Sequence, residues 1–242
     1  MRISWSPGNW LPLLRTIESA PDAVALSVDD GPTPETTPDI IALMRKFDAR
    51  ATFFLSGIRA AQHPDLVAEI VQAGHDVFAH GWDHIHLDRA GPDEPIASME
   101  RCEALLRAHR PTPDTYLVRL PYAAGYRDQR VHREMRRWHP NSQMALWRLS
   151  FCDYLAPPLC RGADDIRRVC RGMVARTLAD AHLPGSILLS HDNPFDIVEE
   201  HRALVSVTFM EEVLTALAAR GLKSVPIRPA TKPRPLARFL LV

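Results

Sequence analysis

Two adjacent carboxylates, Asp29 and Asp30, close an apolar run over residues 23–28 and precede a Gly31-Pro32 turn. A buried strand ends this way at the rim of a sheet. Neighbouring aspartates repel each other, and a cation relieves that repulsion. One carboxylate can then serve as ligand while the other stays free as a base. Further along, His80-Gly81-Trp82-Asp83-His84 places two imidazoles four residues apart, with His86 close behind. On a helical turn that spacing sets both rings on one face, able to grip one ion. Together with Asp30 they form a two-histidine, one-carboxylate set with open positions for water. Such a set suits zinc or another first-row divalent ion, and hydrolytic chemistry. Arg119-Leu120-Pro121-Tyr122 ends another apolar stretch with a cation able to hold a carboxylate, and residues 187–190 run as an apolar strand into His191. Each feature alone has an ordinary reading: a polar turn, a structural histidine pair, a rim arginine, a core-edge histidine. Asp153-Tyr154 by itself would draw no notice.

The elements that must position these groups follow from periodicity and punctuation. Apolar runs predict seven strands, over residues 23–28, 51–55, 76–79, 115–118, 143–151, 186–190 and 222–225. Between them lie helical stretches. One starts at Thr36-Thr37-Pro38, one at Pro64 and ended by Gly74, and others cover residues 95–108, 127–138, 163–181 and 199–219. A short helix over residues 8–19 leads in. Strands alternating with helices make a parallel α/β sheet, and the chemical residues repeatedly follow strand ends. A closed or partly closed (β/α) barrel gathers such residues at one rim, whereas an open doubly wound sheet collects them only at its switch point. The expected organisation is a lead-in over residues 1–22, a barrel domain over 23–228 and a Pro/Arg-rich tail, loosely held, over 229–242.

Composition narrows the function. The chain has 242 residues, 46% of them hydrophobic, enough for one large core. Lys+Arg and Asp+Glu are both 29, so there is no basic excess of the kind a nucleic-acid binder carries. No run approaches the roughly 18 apolar residues of a membrane span, and the N-terminal sequence lacks the apolar core of a secretory signal. The cytoplasm is the expected compartment. Cys102, Cys152, Cys160 and Cys170 lack the short pairs of a structural zinc site; free thiols are expected, with a bridge within residues 152–170 left open.

Taken in order, these motifs resemble the polysaccharide deacetylases of carbohydrate esterase family 4, the NodB-homology domain, over residues 23–227. The resemblance implies a distorted (β/α) barrel of seven or eight strands. It implies that Asp29 is the catalytic base and that Asp30, His80 and His84 hold one divalent metal, zinc first, with cobalt, nickel or manganese as alternatives. Leu87 also fits the second motif. Arg119 would orient the base, the backbone N–H of Tyr122 would help bind the oxyanion, and His191 would be the general acid tuned by Asp153. The chain departs from the family pattern at three places. Ser27-Val28 replaces Thr-Phe. Gly81 stands where the family has Ser or Thr, whose hydroxyl steadies the metal loop, with Asp83 a candidate to supply that hydrogen bond instead. Tyr154 replaces a tryptophan of the acetyl-pocket wall. Trp82, Tyr122, Tyr126 and Phe151 are candidate walls for a sugar ring.

The implied reaction is metal-dependent removal of N-acetyl, or a related acyl group, from an amino sugar. A metal would polarise the amide carbonyl, Asp29 would take a proton from water, and His191 would protonate the departing amine. For a cytoplasmic enzyme, a soluble chito-oligosaccharide or glycosylated intermediate is the expected substrate. Hydrolysis of a non-sugar amide, as in allantoinase-like relatives, is disfavoured because such relatives generally lose the metal set. A non-catalytic glycan-binding relative would tend to lose the base or the acid, yet Asp29 and His191 are both present.

Overall fold

The structure is a computed structural model and describes residues 10–17, 22–197 and 200–231. At its centre lies β2 (Ala23–Asp29), whose seven residues are all buried, as expected of a parallel strand covered on both faces. β3 (Thr52–Leu55) and then β4 (Asp76–Ala79) extend the sheet on one side. β8 (Ile187–His191) and β7 (Leu149–Ser150) extend it on the other, and β9 (Lys223–Val225) joins the start of β2. A second sheet has the order β1 (Leu13–Leu14), β6 (Ser142–Ala145), β5 (Tyr116–Val118). Every strand pairing is parallel, and the two sheets with their helices form a distorted (β/α) barrel. Where the β4 and β5 ladders part, the Tyr116 hydroxyl accepts the Ala79 N–H at 3.0 Å.

The helices follow their start signals. α1 (Thr37–Lys46) has a proline in its first turn and Arg45 and Lys46 in its last, where they complement the helix dipole. α3 (Pro64–Gln72), α4 (Glu94–Leu106) and α5 (Gln129–Trp138) occupy expected stretches, as do α6 (Ala163–Thr177) and α7 (Arg202–Ala218). A short helix, α2 (Gly57–Gln62), begins directly after β3 and was not expected.

Three expectations change. The helix expected over residues 8–19 is absent from its described part: Leu13–Leu14 forms β1 instead, with Met144 and Leu146 N–H groups bonding to the Pro12 and Leu14 carbonyls. Residues 8, 9, 18 and 19 lie outside the described residues. The single strand expected over 143–151 is two strands in different sheets. They part because the Ala145 and Leu146 carbonyls turn to the Arg119 guanidinium, at 2.8 and 3.2 Å. The start of the expected tail is tied down: Ala230 exchanges two hydrogen bonds with the Gln143 side chain, each 2.9 Å. Residues 232–242 lie outside the described residues. All four cysteines are free.

Candidate active site

Register brings the key residues together. Asp29 on β2 and His191 on β8 are direct cross-strand partners. On the other side, Leu55 pairs with Ala79, so that the chain enters His80 next to the end of β3. A cavity of about 520 Å³ opens above these ends. Asp29, Asp30, His80, His84, Tyr122, Tyr154 and His191 all line it.

One wall carries the cation-type groups. Asp30 Oδ1 lies 3.0 Å from His84 Nε2 and 3.6 Å from His80 Nε2. Ligand atoms around a tetrahedral ion at roughly 2.0–2.1 Å stand about 3.3 Å apart, so this spacing fits one. His80 Nδ1 lies 2.9 Å from the Arg119 carbonyl; as donor there, it leaves the lone pair on Nε2 facing Asp30. Asp30 Oδ1 is buried and receives no hydrogen bond. A buried carboxylate oxygen without a donor, met by two imidazole nitrogens, is a site short of a positive charge. A divalent ion fits it. Burial alone would raise the Asp30 carboxyl, yet the neighbouring His84, His191 and His80 rings hold it well below the usual carboxylate range. Burial likewise pushes His80 down, against the upward pull of Asp29 and Asp30, which favours the neutral ligand form.

Asp29 sits beside this group. Arg119, fully buried, donates from one terminal nitrogen to Asp29 Oδ1 and to Ser27 Oγ, both at 2.7 Å. Ser27, one of the departures from the family pattern, thus shares the arginine with Asp29. No hydrogen bond from a described residue reaches Asp29 Oδ2, which lies 3.8 Å from His80 Nε2.

The opposite wall carries His191 and Asp153. Asp153 Oδ1 lies 2.7 Å from His191 Nδ1, and its Oδ2 accepts the His191 backbone N–H at 2.6 Å and the Ser190 hydroxyl at 3.1 Å. Burial would lower His191, but Asp153, with Asp30 and Asp29 behind it, raises it to about 10.

The candidate ring walls separate. Tyr122 and Tyr154 line the cavity; Tyr154 meets His191 edge-on at 5.6 Å. Trp82 does not line it. Its ring lies against the Arg101 guanidinium, 3.4 Å away, where it fills the space above Gly57. Phe151 is buried against Phe209, and Tyr126 is not in the lining. Asp83, a candidate for the loop's hydrogen bond, is exposed; a hydrogen bond to the loop comes instead from Ser98 of α4, which accepts the Trp82 N–H at 2.7 Å.

Among the lining residues that the sequence reading did not assign to the site are Trp147, Cys152, Phe195 and Asp196. Phe195 stacks on His84 at 4.6 Å and 6°, with the Arg59 guanidinium over its other face at 3.7 Å. Tyr122 donates its hydroxyl to Asp196 at 2.8 Å and stacks on His86 at 4.0 Å. Strain also collects here. Among the described residues, six non-glycines have positive φ, and all but Asp48 line the cavity: Asp30, His84, Tyr122, Ala123 and Cys152.

With this geometry in hand, the relatives fall into one class. The polysaccharide deacetylase family model matches residues 16–139, and the chain belongs to that family. It is 25% identical over 231 residues to a peptidoglycan-N-acetylglucosamine deacetylase of Bacillus cereus, covering 93% of this chain and 75% of the relative. A chitooligosaccharide deacetylase of Sinorhizobium fredii is 27% identical over 213 residues, covering 86% of this chain and 89% of the relative. Other peptidoglycan deacetylases are longer; the chain spans 42% of PdaC of Bacillus subtilis. The solved Bc1960 peptidoglycan N-acetylglucosamine deacetylase superposes with a TM-score of 0.71 at 23% identity, over 92% of this chain and 95% of that one, and so shares the fold.

Proposed function

We propose that this chain is a metal-dependent deacetylase that removes N-acetyl groups from amino sugars in chito-oligosaccharides or related glycans. One observation carries the reading: a single cavity holds a cation-type triad on one wall and a carboxylate-tuned histidine on the other, with a free oxygen of Asp29 between them. The named relatives, which deacetylate peptidoglycan or chito-oligosaccharide, support the substrate class.

Asp30, His80 and His84 would hold the ion, zinc in the first instance, with cobalt, nickel or manganese as substitutes. When bound, it supplies Lewis-acid polarisation of the acetamide carbonyl and acidifies water. Asp29 Oδ2 takes the proton from the attacking water while Arg119 fixes the carboxylate through Oδ1. The backbone N–H of Tyr122, in a left-handed turn, would bond the developing oxyanion. His191, held through Nδ1 by Asp153, protonates the leaving nitrogen from Nε2; an amine does not depart readily without that proton.

The test is acetate release from N-acetylated chito-oligosaccharides, with the product followed by mass spectrometry. Release should stop on chelation and return with added zinc, cobalt, nickel or manganese. No release from any acetylated amino sugar by metal-loaded protein would overturn the reading.

A further inference from the structure

The metal loop of this chain has lost a side chain and gained a clamp. Gly81 lies between the two histidines, with φ at +75°. A Cβ built there would stand 3.3 Å from Ser98 Oγ and 3.3 Å from a methyl of Leu87. The serine hydroxyl therefore sits directly beside the place where a residue-81 side chain would begin. It comes from α4, one turn before Cys102, on the face that also buries Met99 and Leu106. Its oxygen accepts the Trp82 N–H at 2.7 Å, in the middle of the segment that joins His80 to His84. The other side of the segment is held by the start of α2. Gly57 N–H donates to the Gly81 carbonyl at 2.9 Å, and Ile58 N–H to the Trp82 carbonyl at 2.8 Å. The Trp82 ring, wedged against Gly57 and Arg101, prevents the segment from rotating.

On the α4 side, the Trp82 ring against Arg101 and the Ser98 hydroxyl both hold this segment. His84 itself is left-handed, at φ +58°, and a strained backbone keeps its conformation only when its surroundings over-determine it. We infer that Ser98 is a positioning residue for the cation site, and that its hydroxyl, delivered from a helix, replaces the one that the second motif ordinarily carries at position 81. The inference rests on Asp30, His80 and His84 being the metal site. Ser98 touches neither ion nor substrate; it sets the distance between His80 and His84.

The experiment measures zinc affinity of the purified, metal-stripped chain by competition with a chromogenic chelator, alongside thermal unfolding of the stripped protein. Ser98→Ala should bind zinc about tenfold more weakly, the low end for a group that orients a ligand from behind. Ser98→Thr, which keeps the hydroxyl, should bind within about threefold of the unaltered chain, on the same scale. Ser206→Ala on α7 removes another buried helix serine, on a helix that takes no part in holding the loop, and should leave affinity unchanged. Wild-type affinity in Ser98→Ala would overturn the inference. So would an equal loss in Ser206→Ala, because the effect would then be general loosening. If Ser98→Ala does not fold, Ser98→Cys, of similar size and a weaker acceptor, takes its place with the same expected loss. Failure of the unaltered chain to bind one zinc per chain would instead remove the metal site itself, and this inference with it.

Discussion

Two arginine–carboxylate pairs, each with a buried carboxylate, behave differently. Glu103 of α4 is saturated. Arg110 donates to both of its oxygens at 2.6 and 2.8 Å, Tyr116 adds a hydroxyl at 2.6 Å, and Thr112 another at 3.2 Å. Asp29 receives Arg119 on one oxygen only, and three other guanidinium N–H groups go to Ser27 and to the Ala145 and Leu146 carbonyls. A carboxylate whose lone pairs are all occupied holds structure together. One with an oxygen left over, facing a cavity, is available for proton transfer.

The largest effect should separate the two. Asp29→Asn should lower kcat about 10²–10⁴-fold, the usual worth of a general base, with zinc affinity unchanged. Glu103→Gln should instead cost about 3–5 kcal/mol of stability by stranding part of a buried pair. The kcat of the folded Glu103→Gln protein, measured below its unfolding transition, should stay near that of the unaltered chain. If it fell as far as Asp29→Asn, saturation would not distinguish the roles.

A smaller effect concerns His191. Its pKa is raised to about 10, so its contribution to folding is fully present below the unfolded value, about 6.5, and is lost as pH rises through about 10. The melting temperature of metal-free protein should therefore fall across that window. Asp153→Asn removes the main upward pull and leaves burial to act, so this dependence should flatten, and the alkaline limb of kcat should move to lower pH. An unmoved limb would show that some other group sets it.

Smaller again is the bond that ties Tyr122 to Asp196. Tyr122→Phe removes it while keeping the ring stacked on His86, and kcat should fall several-fold with little change in KM, if it steadies the oxyanion donor. The least expected change is in Gly81→Ser. With φ at +75° and Ser98 Oγ already in place, an added side chain should cost about 1–2 kcal/mol, seen as a lower melting temperature. Tighter zinc binding in that variant would argue that the loop still lacks a hydroxyl.

The residues at strand ends were legible because an apolar run that stops at Asp29-Asp30, His80, Arg119 or His191 marks both an element and a rim. The strand count was legible for the same reason, except at Leu13–Leu14, where a helix was expected, and at residues 143–151. There one apolar stretch crosses from one sheet to the other, and the cause is an arginine 26 residues earlier capturing the Ala145 carbonyl. Phe195 and Asp196 lie in a loop without periodicity, and nothing local marks them. Trp82 misled in the other direction: an aromatic between two ligand histidines reads as a site wall, but its partner, Arg101, is contributed by a helix. Ser98 did leave a faint signal. It is a polar residue on the apolar face of α4, in line with Cys102, and a buried hydroxyl in that position needs a partner.

The pairing of β2 with β8 has an engineering consequence. Because Asp29 and His191 face each other across one ladder, their separation is set by the spacing of neighbouring strands, about 4.8 Å, and not by any loop. A loop such as the one carrying Phe195 and Asp196 can thus be exchanged without parting Asp29 from His191, whereas the turn carrying Tyr154 also holds Asp153 against His191 and must stay. The protein is in this sense a fixed frame with a replaceable wall, and grafting that wall between relatives is a route to altered glycan preference with Asp29 and His191 left untouched.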